Sequence, residues 1–431
     1  MKLNSTALYQ RLFKEDESAC NGVSDAACRA VPSNFMKILM AQLVTKLADS
    51  FTSSKVVLPW LLTSAGTPTF FTALLVPIRE SGSLIPQFLL GSIVRQFQYR
   101  KHFYVFGSLL QGASVALMAL SALQLNGSRL GWTVIALLIV FSLSRGLCSI
   151  ASKDVLGKAI PKARRGRLGG LSASLSGVIT LSVTGSMLVF QHSSLNFVVT
   201  MLVIASLCWL CSAIIFGVIV EDAGATERAN SGFKVAITNL RLLRSDTQFQ
   251  RFVSVRALLM SSGLAAPFIV ILATPHTDLT GVLMFVILTG MANLVSGMFW
   301  GLLADRSSRF VMLLSATLSM GIFLFTTLFQ AAIEAYFSSL IALIVYLLLY
   351  FLLAVTHQGV RLGRKTYLVD MAHGNQRTDY VSVSNTVIGV LLLGYGAISA
   401  LVAQWNMTAV FVLFSVSSLA ALILALKLKD I

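Results

Sequence analysis

Charge is scarce in this sequence. Only 12% of the 431 residues are Asp, Glu, Lys or Arg, about half the share of an ordinary soluble domain, and so small a share cannot cover a water-facing surface of this size. Cysteine is scarce as well. The five cysteines are Cys20 and Cys28 near the start and Cys148, Cys208 and Cys211 inside apolar runs, a distribution that excludes a disulfide-stapled framework. The Cys208-x-x-Cys211 spacing, in apolar surroundings, reads as packing and not as a redox pair. Five scattered histidines provide no metal-ligand spacing, and neither a phosphate-cradling glycine loop nor a nucleophilic triad is present. No enzyme activity, no metal and no cofactor are expected.

Apolar residues, in contrast, make up 56% of the chain. A hydrocarbon layer about 30 Å thick needs about 20 apolar residues at 1.5 Å rise each, and twelve such runs are found. They extend from Met36 to Leu62, Phe70 to Ile93, Phe103 to Leu123, Trp132 to Ser152, Leu168 to Phe190 and Phe197 to Val220. The second six extend from Phe252 to Ala273, Leu279 to Leu303, Phe310 to Phe329, Phe337 to Gly359, Val381 to Ala403 and Thr408 to Leu426. Runs such as 341–353 do not alternate polar with apolar, which excludes membrane β-strands. The expected fold class is therefore an all-α membrane protein of about twelve transmembrane helices.

The formal charge of +16 would point to nucleic acid in a soluble protein, but here it follows the loops. Basic residues such as Arg95, Arg100, Lys158, Arg164, Arg165, Arg244, Arg306, Arg361, Arg364, Lys365 and Arg377 fall after every second span, while the alternate loops hold little beyond Arg129. By the positive-inside rule both termini and the long loops are cytoplasmic. The expected location is a multi-pass plasma membrane, of the bacterial inner-membrane type, with lipid as partner and no nucleic acid.

The first 34 residues lack an apolar core after their basic start and read as a cytoplasmic tail, not a cleaved signal. Residues 35–220 form a first six-span bundle, 221–250 a polar linker, 251–427 a second bundle and 428–431 a short cytoplasmic end. In the linker, apolar Phe233, Val235, Ile237, Leu240 and Leu243 interleave with Lys234, Arg241 and Arg244. That pattern fits either a helix lying on the leaflet or a solvated connector. A shift of about 210 residues lays the two bundles over one another, setting Lys46 on Arg256 and Gly91 on Gly301; a slightly larger one sets Arg145-Gly146 on Gln358-Gly359. This is the signature of a duplicated six-helix unit.

After the eighth span stands Gly301-Leu302-Leu303-Ala304-Asp305-Arg306-Ser307-Ser308-Arg309, which resembles the major facilitator superfamily loop signature G-x-L-x-D-R-x-G-R with Ser308 in place of the glycine. The first-half copy departs more, with Arg95 at the aspartate position. Pro161 to Gly166 is similar to the P-x-x-x-R-G of many members, and Arg145 looks like the intramembrane arginine of proton-driven ones. The resemblance implies two pseudo-symmetric bundles and transport of a small solute by alternating access. It also makes Gly301, Asp305, Arg306 and Arg309, with Arg165 and Arg377, candidates for a cytoplasmic gate. The unit is expected to be a monomer.

An ionised group at the bilayer centre costs about 2.5 kcal/mol or more, so each one needs a partner or a wet cavity. From the helical rise, Lys46 lies roughly 13 Å, Asp49 roughly 18 Å, Glu80 roughly 20 Å and Arg145 roughly 12 Å from the cytoplasmic ends of their spans. Lys46, Asp49 and Ser53 share one helix face. Arg79 and Glu80 point about 100 degrees apart, with Glu80 expected toward the cavity, and Lys55 is expected to snorkel at the outer end. Lys46, Asp49, Arg79, Glu80, Arg145 and Arg256 are thus the candidate substrate or proton-coupling residues, Asp49 or Glu80 carrying the proton. Their positive balance leans toward an anionic or zwitterionic solute. The alternatives left open are a drug or lipid exporter of the same fold and a non-transporting receptor or assembly factor.

Overall fold

The computed structural model describes residues 25–85, 90, 93–94, 96–161, 168, 171–172, 175–179, 181–185, 195–224, 226, 242–277, 279–304, 306–371 and 376–430. The first-half helices are α1 (Asp25–Phe51), α2 (Val57–Ser64), α3 (Thr69–Leu84), α4 (Lys101–Gln124), α5 (Gly127–Ala159) and α6 (Leu195–Gly217). The second half contains α7 (Leu242–Ser245), α8 (Thr247–Leu258), α9 (Ser261–Leu264), α10 (Ala266–Ala273), α11 (Leu279–Ala304), α12 (Ser308–Tyr336), α13 (Ser339–Met371), α14 (Gln376–Trp405) and α15 (Met407–Leu426). No strand occurs among the described residues.

Among those residues nine helices are long and apolar enough to cross a membrane, and a shorter apolar helix covers Leu175–Gly185. The nine coincide with expected spans 3, 4, 6 and 7 to 12. Span 1 is split between α1 and α2, while spans 2 and 5 are described only in part. The chain is an integral membrane protein. Most of the proposed tail and linker, and residues Gly91, Arg95, Arg165 and Asp305, lie outside the described residues.

The two halves repeat one packing pattern. In the first, α1 packs on α6, α4 on α6 and α5, and α3 on α5; in the second, α8 packs on α15, α12 on α15 and α13, and α11 on α13. Small polar side chains occupy these contacts, where lipid offers no hydrophobic gain and close packing and hydrogen bonds must hold helices together. Ser206 Oγ donates to the Gly112 carbonyl at 2.8 Å, Tyr104 Oη meets Ser212 Oγ at 2.9 Å, and Ser261 meets Ser418 at 3.2 Å.

The halves meet along two seams that pass through glycines. On one, α3 packs against α14 so closely that a Cβ on Gly396 would lie 2.0 Å from the Pro77 ring and one on Gly389 2.7 Å from Ile85. On the other, a Cβ on Gly290 of α11 would lie 2.9 Å from Leu181. At one end of the molecule the gap between the halves is filled, where α2 packs on α10 and on the 3-10 turn Thr274–His276.

Both first helices of the repeat are interrupted at matching positions. The chain leaves helix geometry at Thr52–Val56, between α1 and α2, and again around Met260 and Ala265, between α8, α9 and α10. Thr52, Ser53 and Ser54 offer the backbone competing side-chain bonds: Thr52 Oγ1 donates to the Ala48 carbonyl and Ser53 Oγ accepts from the Lys55 amide. In the second half Pro267 supplies no amide hydrogen to continue the ladder. Broken helices at membrane depth are tolerated where they line a cavity.

Several helices outlast their apolar runs. α1 begins at Asp25, ahead of the expected start at Met36; α5 runs to Ala159 and α13 to Met371, beyond the expected ends at Ser152 and Gly359. Hydropathy finds the hydrocarbon-spanning part of a helix, not its wet extension.

Candidate functional site: a basic cavity between the halves

A cavity of about 1220 Å³ lies between the two halves. Both interrupted helices reach it, through Lys46, Asp49, Ser50, Ser53 and Val56 on one side and Arg256 on the other. From the remaining helices come Ser176, Thr289, Asn293, Trp300, Gly301, Gln358, Arg361, Arg364, Lys365 and Asn385. Gly301, Lys365 and Leu368, near the C-terminal ends of α11 and α13, together with Val381 and Asn385 near the start of α14, place the cavity toward the end that carries the basic loops, opposite the packed α2–α10 end.

Asp49 is the acid on its wall, and it is already occupied. Its Oδ1 accepts from Arg79 Nη2 of α3 at 2.9 Å and from Arg145 Nη1 of α5. Arg79 is buried, its side chain 8% exposed, with its other nitrogen Nη1 donating to the Thr52 carbonyl at 2.6 Å and its guanidinium 5.5 Å from the Phe141 ring centre. The break in the first helix therefore frees a carbonyl that Arg79 satisfies, as backbone at membrane depth requires. Lys46 does not take part: it lines the cavity one turn away, within electrostatic reach of Asp49.

Glu80, next to Arg79, is exposed, yet it lies within electrostatic reach of Lys55, Arg145, Arg79 and Arg361. Cations from two other first-half segments and from α13 surround it, so its exposed surface faces interior space and not lipid. It is not among the side chains lining the large cavity. The expectation for Lys55 is corrected: it sits in the helix break beside Glu80, Arg361 and Arg364, because the broken turn points it inward instead of to the outer interface.

In the second half Arg256 is 7% exposed. It donates through Nη1 to Ser384 Oγ at 2.6 Å and through Nη2 to Asn385 Oδ1 at 2.9 Å, while its Nε has no protein partner. Ser384 and Asn385 near the start of α14 thus bond within their own half. Tyr380 likewise donates to Asp246 Oδ2 at 2.7 Å, and Asp246 caps α8 by accepting from the Gln248 and Phe249 amides.

Among the gate candidates, Gly301 lines the cavity and Arg306 is exposed. Arg309 donates through Nε to the Ala425 carbonyl and through Nη2 to the Leu426 carbonyl, so in this state it caps α15 within its own half. Arg165 and Asp305 lie outside the described residues, as does the side chain of Arg377.

Sequence reasoning missed Arg361, Arg364 and Lys365, which it assigned to a loop. They stand in α13 and project into the cavity. The signal was the spacing of Gln358, Arg361, Lys365 and Leu368, which keeps them on one helix face. Gln358 also donates to Asn293 of α11 across the cavity wall. Among the described residues no three His, Cys, Asp or Glu side chains are grouped to hold a metal ion.

The sequence matches no protein-family model and no curated protein. The structure, however, matches solved ones. The nucleoside transporter NupG superposes with a TM-score of 0.68 at 11% identity, covering 92% of this chain and 99% of its own. The fold is that of the major facilitator superfamily. A POT family transporter in complex with 5-aminolevulinic acid aligns at TM-score 0.67 and 9% identity over 91% of this chain and 94% of its own, and the D-xylose-proton symporter at 0.65 and 13% over 93% and 98%. The major facilitator likeness extends across both halves, which accounts for the repeated helix pairing and the cavity on the axis between them.

Proposed function

We propose that this protein is a secondary transporter that moves a small anion-bearing solute by alternating access. The observation that supports this reading is the cavity itself, which opens between two six-helix units and carries five cations, Lys46, Arg256, Arg361, Arg364 and Lys365, against one carboxylate. A low-dielectric cleft of one sign concentrates the opposite charge, and its two interrupted helices stand in corresponding positions of the two halves, as at the midplane sites of such carriers. With the basic loops cytoplasmic, the described state is open inward and closed outward.

Lys46 and Arg256 hold the solute from the two sides of the axis. Asp49 keeps α1, α3 and α5 in register through Arg79 and Arg145. Glu80, whose carboxylate is reached by solvent and flanked by cations, is the group that takes up and releases the coupling proton. The gradient supplies the driving force, and the gate candidates around Gly301 to Arg309 rearrange as the inner end closes.

The test is a solute screen on the purified protein in proteoliposomes, with and without an imposed pH gradient. Accumulation of small anions that rises with the gradient is the expected result. Flux confined to lipophilic cations, or no flux of any solute with intact protein, overturns the reading.

A further inference from the structure

The cations on α13 exceed what a generic anion site needs. Arg361 is three residues from Arg364 and four from Lys365, so its Cβ lies roughly 5–6 Å from each of theirs, while the adjacent Arg364 and Lys365 point about 100 degrees apart; all three line the cavity. Arg364 is within electrostatic reach of Arg256, and Arg361 of Arg364. None of Lys46, Arg256, Arg361, Arg364 and Lys365 has an ion-pair partner among the described residues. Asp49 is held by Arg79 and Arg145 and cannot serve them, and Glu80, within electrostatic reach of Arg361 and Arg364, is one carboxylate shared with Lys55, Arg79 and Arg145. Arg256, which also lines the cavity, has a buried Nε without a protein partner.

Cations that outnumber the carboxylates around one cavity repel one another, and the natural remedy is a ligand that brings further negative charge. Cations this close along one helix, on long side chains, can reach a single compact group. Two carboxylates held apart by a carbon chain would call for cations held apart. Guanidinium forks match the oxygens of a phosphate in bidentate fashion. The rest of the wall, with Ser50, Ser53, Thr289, Asn293 and Gln358, offers hydroxyl and amide partners to a polar body.

We infer that Arg361, Arg364 and Lys365 of α13 form, together with Arg256, a site for a compact dianionic group of the phosphate-ester type, borne by a polar small molecule. This deepens the transport proposal and rests on it, naming the class of solute. Lys46, across the axis, completes the grip when the halves close.

The experiment is equilibrium binding to the full-length purified protein at pH 7.5, with inorganic phosphate, glycerol phosphate, succinate and lactate as probes. The variants are Arg361→Gln with Arg364→Gln, and Arg361→Lys with Arg364→Lys. Each lost charge-assisted fork corresponds to about 1.5 kcal/mol or more, about tenfold in affinity. Phosphate and glycerol phosphate are expected to bind the native protein at least about tenfold tighter than lactate or succinate. The glutamine pair is expected to lose about a hundredfold for the phosphates, and the lysine pair less. The ligand-free melting temperature of each variant shows that it is folded, and removing unbalanced cations is expected to leave it equal or higher. Lactate or succinate binding as tightly as phosphate, or phosphate affinity unchanged within twofold in the glutamine pair, overturns the inference. Phosphate binding that behaves as described without any flux in proteoliposomes would overturn the transport proposal alone; flux restricted to monoanions would overturn the dianion alone.

Discussion

Replacing Asp49 by Asn tests the ion cluster that ties the first half together. The carboxylate holds two guanidiniums at once, from α3 and α5, and their environments differ: the Arg79 side chain is 8% exposed and the Arg145 side chain 36%. Removing one partner of a buried pair typically costs about 3–5 kcal/mol, because a charge is left uncompensated, whereas a solvent-reached pair is worth about 0–1 kcal/mol. The loss for Asp49→Asn is therefore set by Arg79 and is expected near 3–4 kcal/mol.

Arg79→Met is expected to cost about 2–3 kcal/mol by a different route. Asp49 keeps Arg145, but the Thr52 carbonyl, which accepts from Arg79 Nη1 at 2.6 Å, is left without a donor, and an orphaned buried acceptor costs about 1–3 kcal/mol. Arg79→Met with Asp49→Asn then removes charge and counter-charge together, so the double variant should cost about 2 kcal/mol less than the sum of the singles. Denaturant titration of the purified protein, read by tryptophan fluorescence, measures all three. An Asp49→Asn protein within about 0.5 kcal/mol of the native one, or strictly additive singles, would refute the idea that this aspartate is a structural clamp.

Glu80→Gln should abolish accumulation driven by a pH gradient while sparing solute exchange across equal pH, in proteoliposomes; unchanged gradient-driven uptake would remove Glu80 from the coupling scheme. Gly396→Val places a side chain where even a Cβ would be 2.0 Å from the rigid Pro77 ring. Overpacking of this kind costs about 1–3 kcal/mol, so a melting temperature several degrees lower and a seam opened to a labelled cysteine beside it are expected. Asp246 caps α8 and accepts from Tyr380. Burial pushes its pKa upward, but the hydrogen bonds from Tyr380 and the Phe249 and Gln248 amides, with Lys429 nearby, outweigh that and hold the carboxyl below its ordinary range. A depressed carboxyl stabilises the fold above its unfolded pKa of about 4 and stops doing so as pH falls through the folded value. Asp246→Ala is therefore expected to cost about 1 kcal/mol near neutral pH, the gap to the native protein closing in acid; a gap independent of pH would contradict the assignment.

The apolar runs made the architecture legible, because hydrocarbon requires about 20 uninterrupted apolar residues per crossing and little else in a sequence looks like that. The pairing of Lys46 with Arg256 across the repeat was legible for the same reason: intramembrane cations are few, and both line the cavity. The bond between Asp49 and Arg79 was not. Residues thirty apart on different helices declare a contact only through packing, and the acid's nearer neighbour Lys46 offered the simpler pairing. The basic face of α13 was hidden by averaging over a window, since hydropathy falls where a helix turns one polar face to a cavity even though its other face stays apolar.

The two halves of the major facilitator frame have diverged in how they treat charge. In the first half Asp49 answers Arg79 and Arg145, and the carbonyl freed at Thr52 is answered by Arg79. The second half gives Arg256 only the neutral oxygens of Ser384 and Asn385 and adds three cations on α13, two of which, Arg361 and Arg364, share the single carboxylate of Glu80 from the first half. In the proposed transport cycle the solute brings negative charge to this cavity, and its arrival lessens the repulsion that would otherwise build up as Lys46 approaches Arg256 during closure of the inner end. Under that proposal loading and closing are one electrostatic event: the empty protein resists closure and the filled one does not.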